Sequence, residues 1–197
     1  FGRILAALRE TGLENDTLVL FTSDHGNCLG IHHQIAKNNH YEESLRIPFL
    51  IRWPGRIPPR RDDLLLNVPD VYPTLLDLMG FADDVPPQVQ GTSYASLFTT
   101  GSGPRPSSQW YMRVPLGKPA WGRRGVRTQR YTLVINKMPG KKVETILHDN
   151  LDDPFQMHNL AGDHAPLVAE LTAELHKWLR KMRDPWLQAG PDAPSKG

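Results

Sequence analysis

Apolar and polar residues follow two different rhythms along this chain, one before residue 100 and one after it. At the start, Ile4, Leu5 and Leu8 recur at helical spacing and Gly12 offers a stop, so Phe1 to Leu13 reads as the end of a short amphipathic helix. The apolar run from Thr17 to Thr22 follows; its continuity predicts a buried strand of the parallel kind. A second run, Pro48-Phe-Leu-Ile-Arg-Trp53, closed by Pro54-Gly55, predicts another core strand. Asp70 is expected to cap a helix that tolerates Pro73 in its first turn, buries Leu75, Leu76, Leu78 and Met79, and ends at Gly80.

From Gly101 to Ser108 the composition shifts to Gly, Pro and Ser, the expected boundary between two parts, 1–103 and 104–197. Beyond it, Trp110 to Val114, Gly125 to Thr128, Tyr131 to Asn136 and Thr145 to Asp149 are short strand segments separated by turn residues, the pattern of an antiparallel sheet. Leu167, Leu171, Leu175, Trp178 and Met182 form one stripe of a helix suited to cover that sheet. The fold class is therefore α/β, with a small α+β second part.

Composition narrows the partners. With 39% hydrophobic and 22% charged residues, 197 residues are enough for a real core. A net charge of +2 from 23 basic and 21 acidic residues gives no reason to expect nucleic acid or a membrane surface as partner. No apolar run approaches the roughly 18 residues of a membrane helix. The single cysteine, Cys28, excludes an internal disulfide framework and a Cys-based structural zinc site. The chain opens at Phe1 inside a helix pattern, so it is expected to be the C-terminal part of something longer, and it leaves the compartment unread.

The first strand runs directly into Asp24-His25-Gly26. Asp24 offers hard carboxylate oxygens of the type calcium or magnesium prefers, whereas His25 by itself suits zinc or manganese; ligand chemistry alone leaves the metal open. Lys37 suits an anionic ester, because an ammonium stabilises both its oxygens and the charge that moves onto a leaving oxygen. His32, His33 and His40 surround it, as a local metal site or as loop composition. Glu42 and Glu43 are adjacent and point apart, so they form no catalytic dyad; they are expected to hold the loop that presents Lys37, through an ion pair with Arg46. Arg123, Arg124, Arg127 and Arg130 are expected on a solvated surface.

Together, Asp24-His25-Gly26, Lys37, Tyr41-Glu-Glu-Ser44, the Asp70-x-x-Pro-Thr-Leu-Leu helix and the stretch from Leu147-His-Asp-Asn-Leu-Asp-Asp-Pro154 to Asn159-Leu160 resemble the formylglycine-dependent sulfatase family. The resemblance implies the C-terminal part of an alkaline-phosphatase-like α/β/α sandwich over 1–103, and over 104–197 a small subdomain of antiparallel sheet plus C-terminal helix. It implies hydrolysis of sulfate monoesters, carbohydrate sulfates by default, with Ca2+ on Asp24 and His25. Lys37 would be catalytic and grip the sulfate. His32 would join it in substrate binding, since it matches the histidine of the family's Leu-Gly-x-His-Gly segment; His33 stands where the family carries glycine.

The family's nucleophile is a formylglycine made from Cys or Ser, with Pro or Ala two residues on and Arg four residues on. Cys28 is followed by Leu29-Gly-Ile-His32, and Ser102-Gly-Pro-Arg105 has its arginine one place early, so the nucleophile is expected upstream of this chain, with further calcium-binding acids. Expected partners are a sulfated small molecule or glycan and the missing N-terminal part of the catalytic domain. Members are usually exported, so a periplasmic or extracellular location is expected. Two alternatives stand beside this reading: a phosphomonoester, phosphodiester or phosphonate hydrolase of the same superfamily, and a non-catalytic module that binds sulfated glycans.

Overall fold

The computed structural model describes residues 1–188, which divide into two compact units. One comprises Phe1–Gly26 and Arg46–Arg105; the other comprises Asn27–Leu45 and the chain from Pro106 onward. The segment carrying Lys37 thus packs with residues more than sixty positions later in sequence.

In the first unit, helix α1 (Gly2–Glu10) leads into strand β1 (Val19–Thr22), which pairs with β2 (Phe49–Arg52). The pairing is antiparallel, Val19 opposite Arg52 and Thr22 opposite Phe49, where a buried parallel strand was expected. A continuous apolar run does not encode pairing direction, and the chain between the strands turns back without a crossover helix of the length a parallel connection needs. The pair is also half-covered: Phe21 and Leu50 face each other at 45% and 56% exposure.

Helix α3 (Val68–Leu78) starts one turn earlier than expected. Asn67 is its N-cap and Asp70 occupies the third helical position, where its Oδ2 accepts the Asn67 N–H at 3.1 Å and closes a capping box. Asp70 therefore caps by reaching back, and its Oδ1 also accepts the Thr92 N–H at 2.9 Å. Leu78, with Trp53 and Ala95 of α4 (Ala95–Thr100), forms the core of this unit, and Leu18, Ile51 and Phe98 pack on it.

The second unit contains a four-stranded antiparallel meander: β3 (Ser108–Arg113), β4 (Gly122–Thr128), β5 (Tyr131–Lys137) and β6 (Glu144–Asp149). Strand alternation gives the sheet two faces. Val126, Leu133, Ile135 and Leu147 point one way and pack against Leu171, Leu175 and Leu179 of helix α5 (Ala165–Lys181), with Trp186 filling the end of the same core. Burying this stripe contributes about 1.5–3 kcal/mol per large aliphatic side chain. The opposite face carries Arg123, Arg127 and His148, and the short helix α2 (Glu42–Leu45) lies in the segment that packs with it. Among the described residues no helix is long and apolar enough to cross a membrane.

Candidate functional site

Beyond β1 the chain breaks its extended path at Ser23, whose hydroxyl donates to the His25 carbonyl at 3.3 Å. The turn is tightened by Asp24 Oδ1, which accepts the His25 N–H at 3.0 Å. The imidazole Nδ1 donates to the Gly26 carbonyl at 2.7 Å, because a carbonyl can only accept. That bond fixes the proton on Nδ1 and leaves Nε2 facing Asp24 Oδ2 at 3.2 Å. A neutral ring would set two lone pairs against each other at this distance. The geometry therefore calls for positive charge, either a proton on Nε2 or a cation shared by both atoms. A separation of 3.2 Å is also the spacing of neighbouring ligands around one divalent ion with bonds of roughly 2.3–2.6 Å, so the pair fits such an ion. Among the described residues no third His, Cys, Asp or Glu joins them in a metal-binding group.

Lys37 lies in the second unit, exposed, on a loop of unusual backbone. Leu29, His32 and His33 all have φ near +50°, and Gly30 has φ +102°. His33 thus occupies a left-handed conformation that glycine adopts without strain.

His32 is turned inward. Its side chain is only 5% exposed, its ring stacks on Tyr41 at 3.5 Å between centroids, and its Nε2 lies 3.4 Å from Glu43 Oε2. Glu42 takes a different direction, accepting from Arg127 Nε at 3.0 Å. The expected ion pair to Arg46 is thus replaced by Arg127 and His32, because α2 rotates successive side chains by about 100° and sends the two carboxylates to separate partners.

The other basic residues are structural as well. Arg124, 1% exposed, makes a bidentate pair with Asp184 at 2.7 and 3.1 Å, and Arg130 binds Asp149 and Asp152. Arg124 and Arg127 thus leave the solvated face expected for them, claimed by acidic partners distant in sequence, whereas Arg130 stays exposed as expected.

Sequence reasoning missed the buried aromatic group behind the lysine loop. His40 is 2% exposed, lies 4.4 Å from the Tyr41 ring and 5.6 Å from the His148 ring, and has neither ring nitrogen bonded to a described residue. His148 donates from Nδ1 to the His158 carbonyl at 2.9 Å. Burial, Arg123, His148 and His32 push His40 down to about 3, and burial lowers His148 too. The local signal was slight: one histidine beside a tyrosine, and a second in the middle of a strand.

Residues 1–81 match the family model described as Sulfatase. The chain is 38% identical over 201 aligned positions to an endo-4-O-sulfatase of Bacteroides thetaiotaomicron, covering 94% of this chain and 40% of that protein. A crystal structure from Bacteroides fragilis, described as that of a candidate sulfatase, superposes with a TM-score of 0.90 at 40% identity over 95% of this chain and 40% of its own. A phosphonate monoester hydrolase of Silicibacter pomeroyi follows the same fold, with a TM-score of 0.77 at 29% identity over 94% of this chain and 39% of its own. The chain spans about two fifths of the length of these relatives.

Proposed function

We propose that the chain belongs to the sulfatase family, within the alkaline-phosphatase superfamily, and forms the C-terminal part of a sulfuric ester hydrolase acting on sulfate monoesters of carbohydrates. The observation that carries this reading is the Asp24–His25 pair, whose 3.2 Å spacing and fixed tautomer suit a cation shared by both side chains at the end of β1. Asp24 and His25 are then two ligands of Ca2+, with the remaining ligands and the formylglycine nucleophile supplied from outside these residues. A calcium ion held there supplies positive charge to the oxygens of the bound ester.

Lys37 gives the second positive charge. Its flexible ammonium suits the non-bridging sulfate oxygens and stabilises the charge that develops on the leaving oxygen. His32 is a less direct participant: buried against Tyr41 and Glu43, it shapes the loop from behind, and its substrate role is exercised through the placement of that loop. The carbohydrate preference is taken from the endo-4-O-sulfatase relative. Export to the periplasm or the exterior is part of the same reading.

Turnover of an aryl sulfate by the intact enzyme tests the assignment. Chelation of divalent metal and Asp24→Ala should each abolish it; full activity after either change would sink the proposal. The similarity to a phosphonate monoester hydrolase supports a second reading, since lysine and a metal serve phosphoryl groups equally well. Faster hydrolysis of an aryl phosphonate monoester than of the aryl sulfate would establish that alternative.

A further inference from the structure

Lys37 is exposed, yet the backbone around it is tied down by buried groups. Asn39, 5% exposed, donates its backbone N–H to the Lys37 carbonyl at 2.9 Å. Its side-chain Nδ2 donates to the Ala36 carbonyl at 3.4 Å and to Cys28 Sγ at 3.3 Å, and its Oδ1 accepts the Tyr41 N–H at 3.1 Å. Cys28, fully buried, lies 3.3 Å from the Ser44 hydroxyl. Residues 28 to 44 therefore form one hydrogen-bonded knot that carries the exposed Lys37 on its surface.

The knot is fastened at Glu42, by groups distant in sequence. The Glu42 N–H donates to Gln156 Oε1 at 2.8 Å, while its carboxylate accepts from Arg127 Nε at 3.0 Å and Nη2 at 3.5 Å. Gln156 is itself 2% exposed, and its Nε2 donates to Asn150 Oδ1 at 2.8 Å. Arg127 sits on β4, in the middle of the sheet. Both anchors are thus rigid and both converge on one residue, five positions from the lysine. A single surface ion pair would contribute little, but a partly buried pair combined with a charge-independent amide bond fixes direction as well as distance.

We propose that Arg127 and Gln156 are positioning residues for Lys37, so that the C-terminal sheet sets where the ammonium meets the ester. This rests on the functional reading above, in which Lys37 contacts the anionic oxygens. Displacement of a catalytic group by about 1 Å costs up to roughly a hundredfold in rate, so loosening the anchor should be felt at the chemistry.

The test is a double-mutant cycle in the intact enzyme, joined to amide hydrogen exchange. Arg127→Ala and Gln156→Ala should each lower kcat/KM by about tenfold or more, yet change it less than about twofold in a Lys37→Ala background, because the lysine they act through is gone. Losses of equal size in both backgrounds would overturn the proposal. Exchange at the Asn39 and Tyr41 amides should rise by about tenfold in both variants, while Leu133 and Leu147 in the sheet core stay protected. Unchanged exchange at Asn39 and Tyr41 also overturns it, even if the wild-type protein hydrolyses no sulfate ester; that absence of turnover would refute the functional reading alone. Should an alanine variant fail to fold, Arg127→Lys, which keeps the charge but loses the fork on Glu42, carries the same cycle.

Discussion

At His40 the protein has placed an imidazole between Tyr41, His32, His148 and Arg123, with Glu43 and Glu144 near the Tyr41 side of the group. The folded state holds His40 at about 3, against an ordinary value near 6.5, so it binds fewer protons than the unfolded chain between these limits. The stabilisation is complete above about pH 6.5 and is lost as the pH falls toward 3, and at pH 5 the loss from this residue alone is about 2 kcal/mol. His148, lowered by burial, adds in the same direction. Urea midpoints measured from pH 7.5 to 4.5 should fall steeply in the wild type and less in His40→Phe, which removes the titrating ring; parallel slopes would contradict this account. His33 poses the opposite problem, a backbone at φ +55° without glycine. His33→Gly should raise stability by up to about 1 kcal/mol, read as a shift of the same midpoint.

At the scale of elements, strand β4 is held by a charge pair that is nearly dry. Asp184, at the turn before Trp186, receives both the Nε and Nη2 of Arg124. Removing one partner leaves the other charge buried, so Asp184→Ala should cost about 3–5 kcal/mol in chemical denaturation, whereas replacing both by apolar residues of similar volume should cost far less. Helix α5 depends on packing instead, and Leu175→Ala, at a position with no exposure, should cost about 2–5 kcal/mol. These elements were also the ones most readable in the sequence. Leu167, Leu171 and Leu175 announce α5 because helical periodicity is strong over four turns, and Tyr131 to Asn136 announces β5 because β-branched residues cluster between turns. Asp24, His25 and Lys37 stood out by residue type and spacing. The anchors Gln156 and Arg127 were invisible, because their roles come from partners 114 and 85 positions away, a separation that no local pattern reports. Pairing direction in β1 was misread for the same reason.

For the whole molecule, the catalytic equipment within the chain is partial: two candidate metal ligands and one lysine, with no formylglycine motif in the 197 residues. Purified residues 1–197, assayed on an aryl sulfate with added calcium, should show no turnover, and sustained metal-dependent hydrolysis would mean that a nucleophile has gone unrecognised. The same preparation should associate through the Phe21–Leu50 side of the two-stranded β1–β2 pair, where large apolar groups and strand edges are exposed, and sedimentation velocity would show this as concentration-dependent mass.

The division of the second unit between residues 27–45 and the chain beyond 106 also bears on how the protein is made. The β3–β6 meander joins only neighbouring strands, so it can close as soon as it leaves the ribosome. The lysine segment emerges far earlier, yet its seat on Gln156 does not exist until some 114 further residues have been synthesised. At about 5–20 residues per second, that leaves Cys28, Asn39 and His40, all buried in the folded protein, open to chaperones and proteases for roughly 6–23 seconds of every synthesis. Truncation of the nascent chain just before Gln156 should therefore leave this segment cleavable while the first unit is already protected.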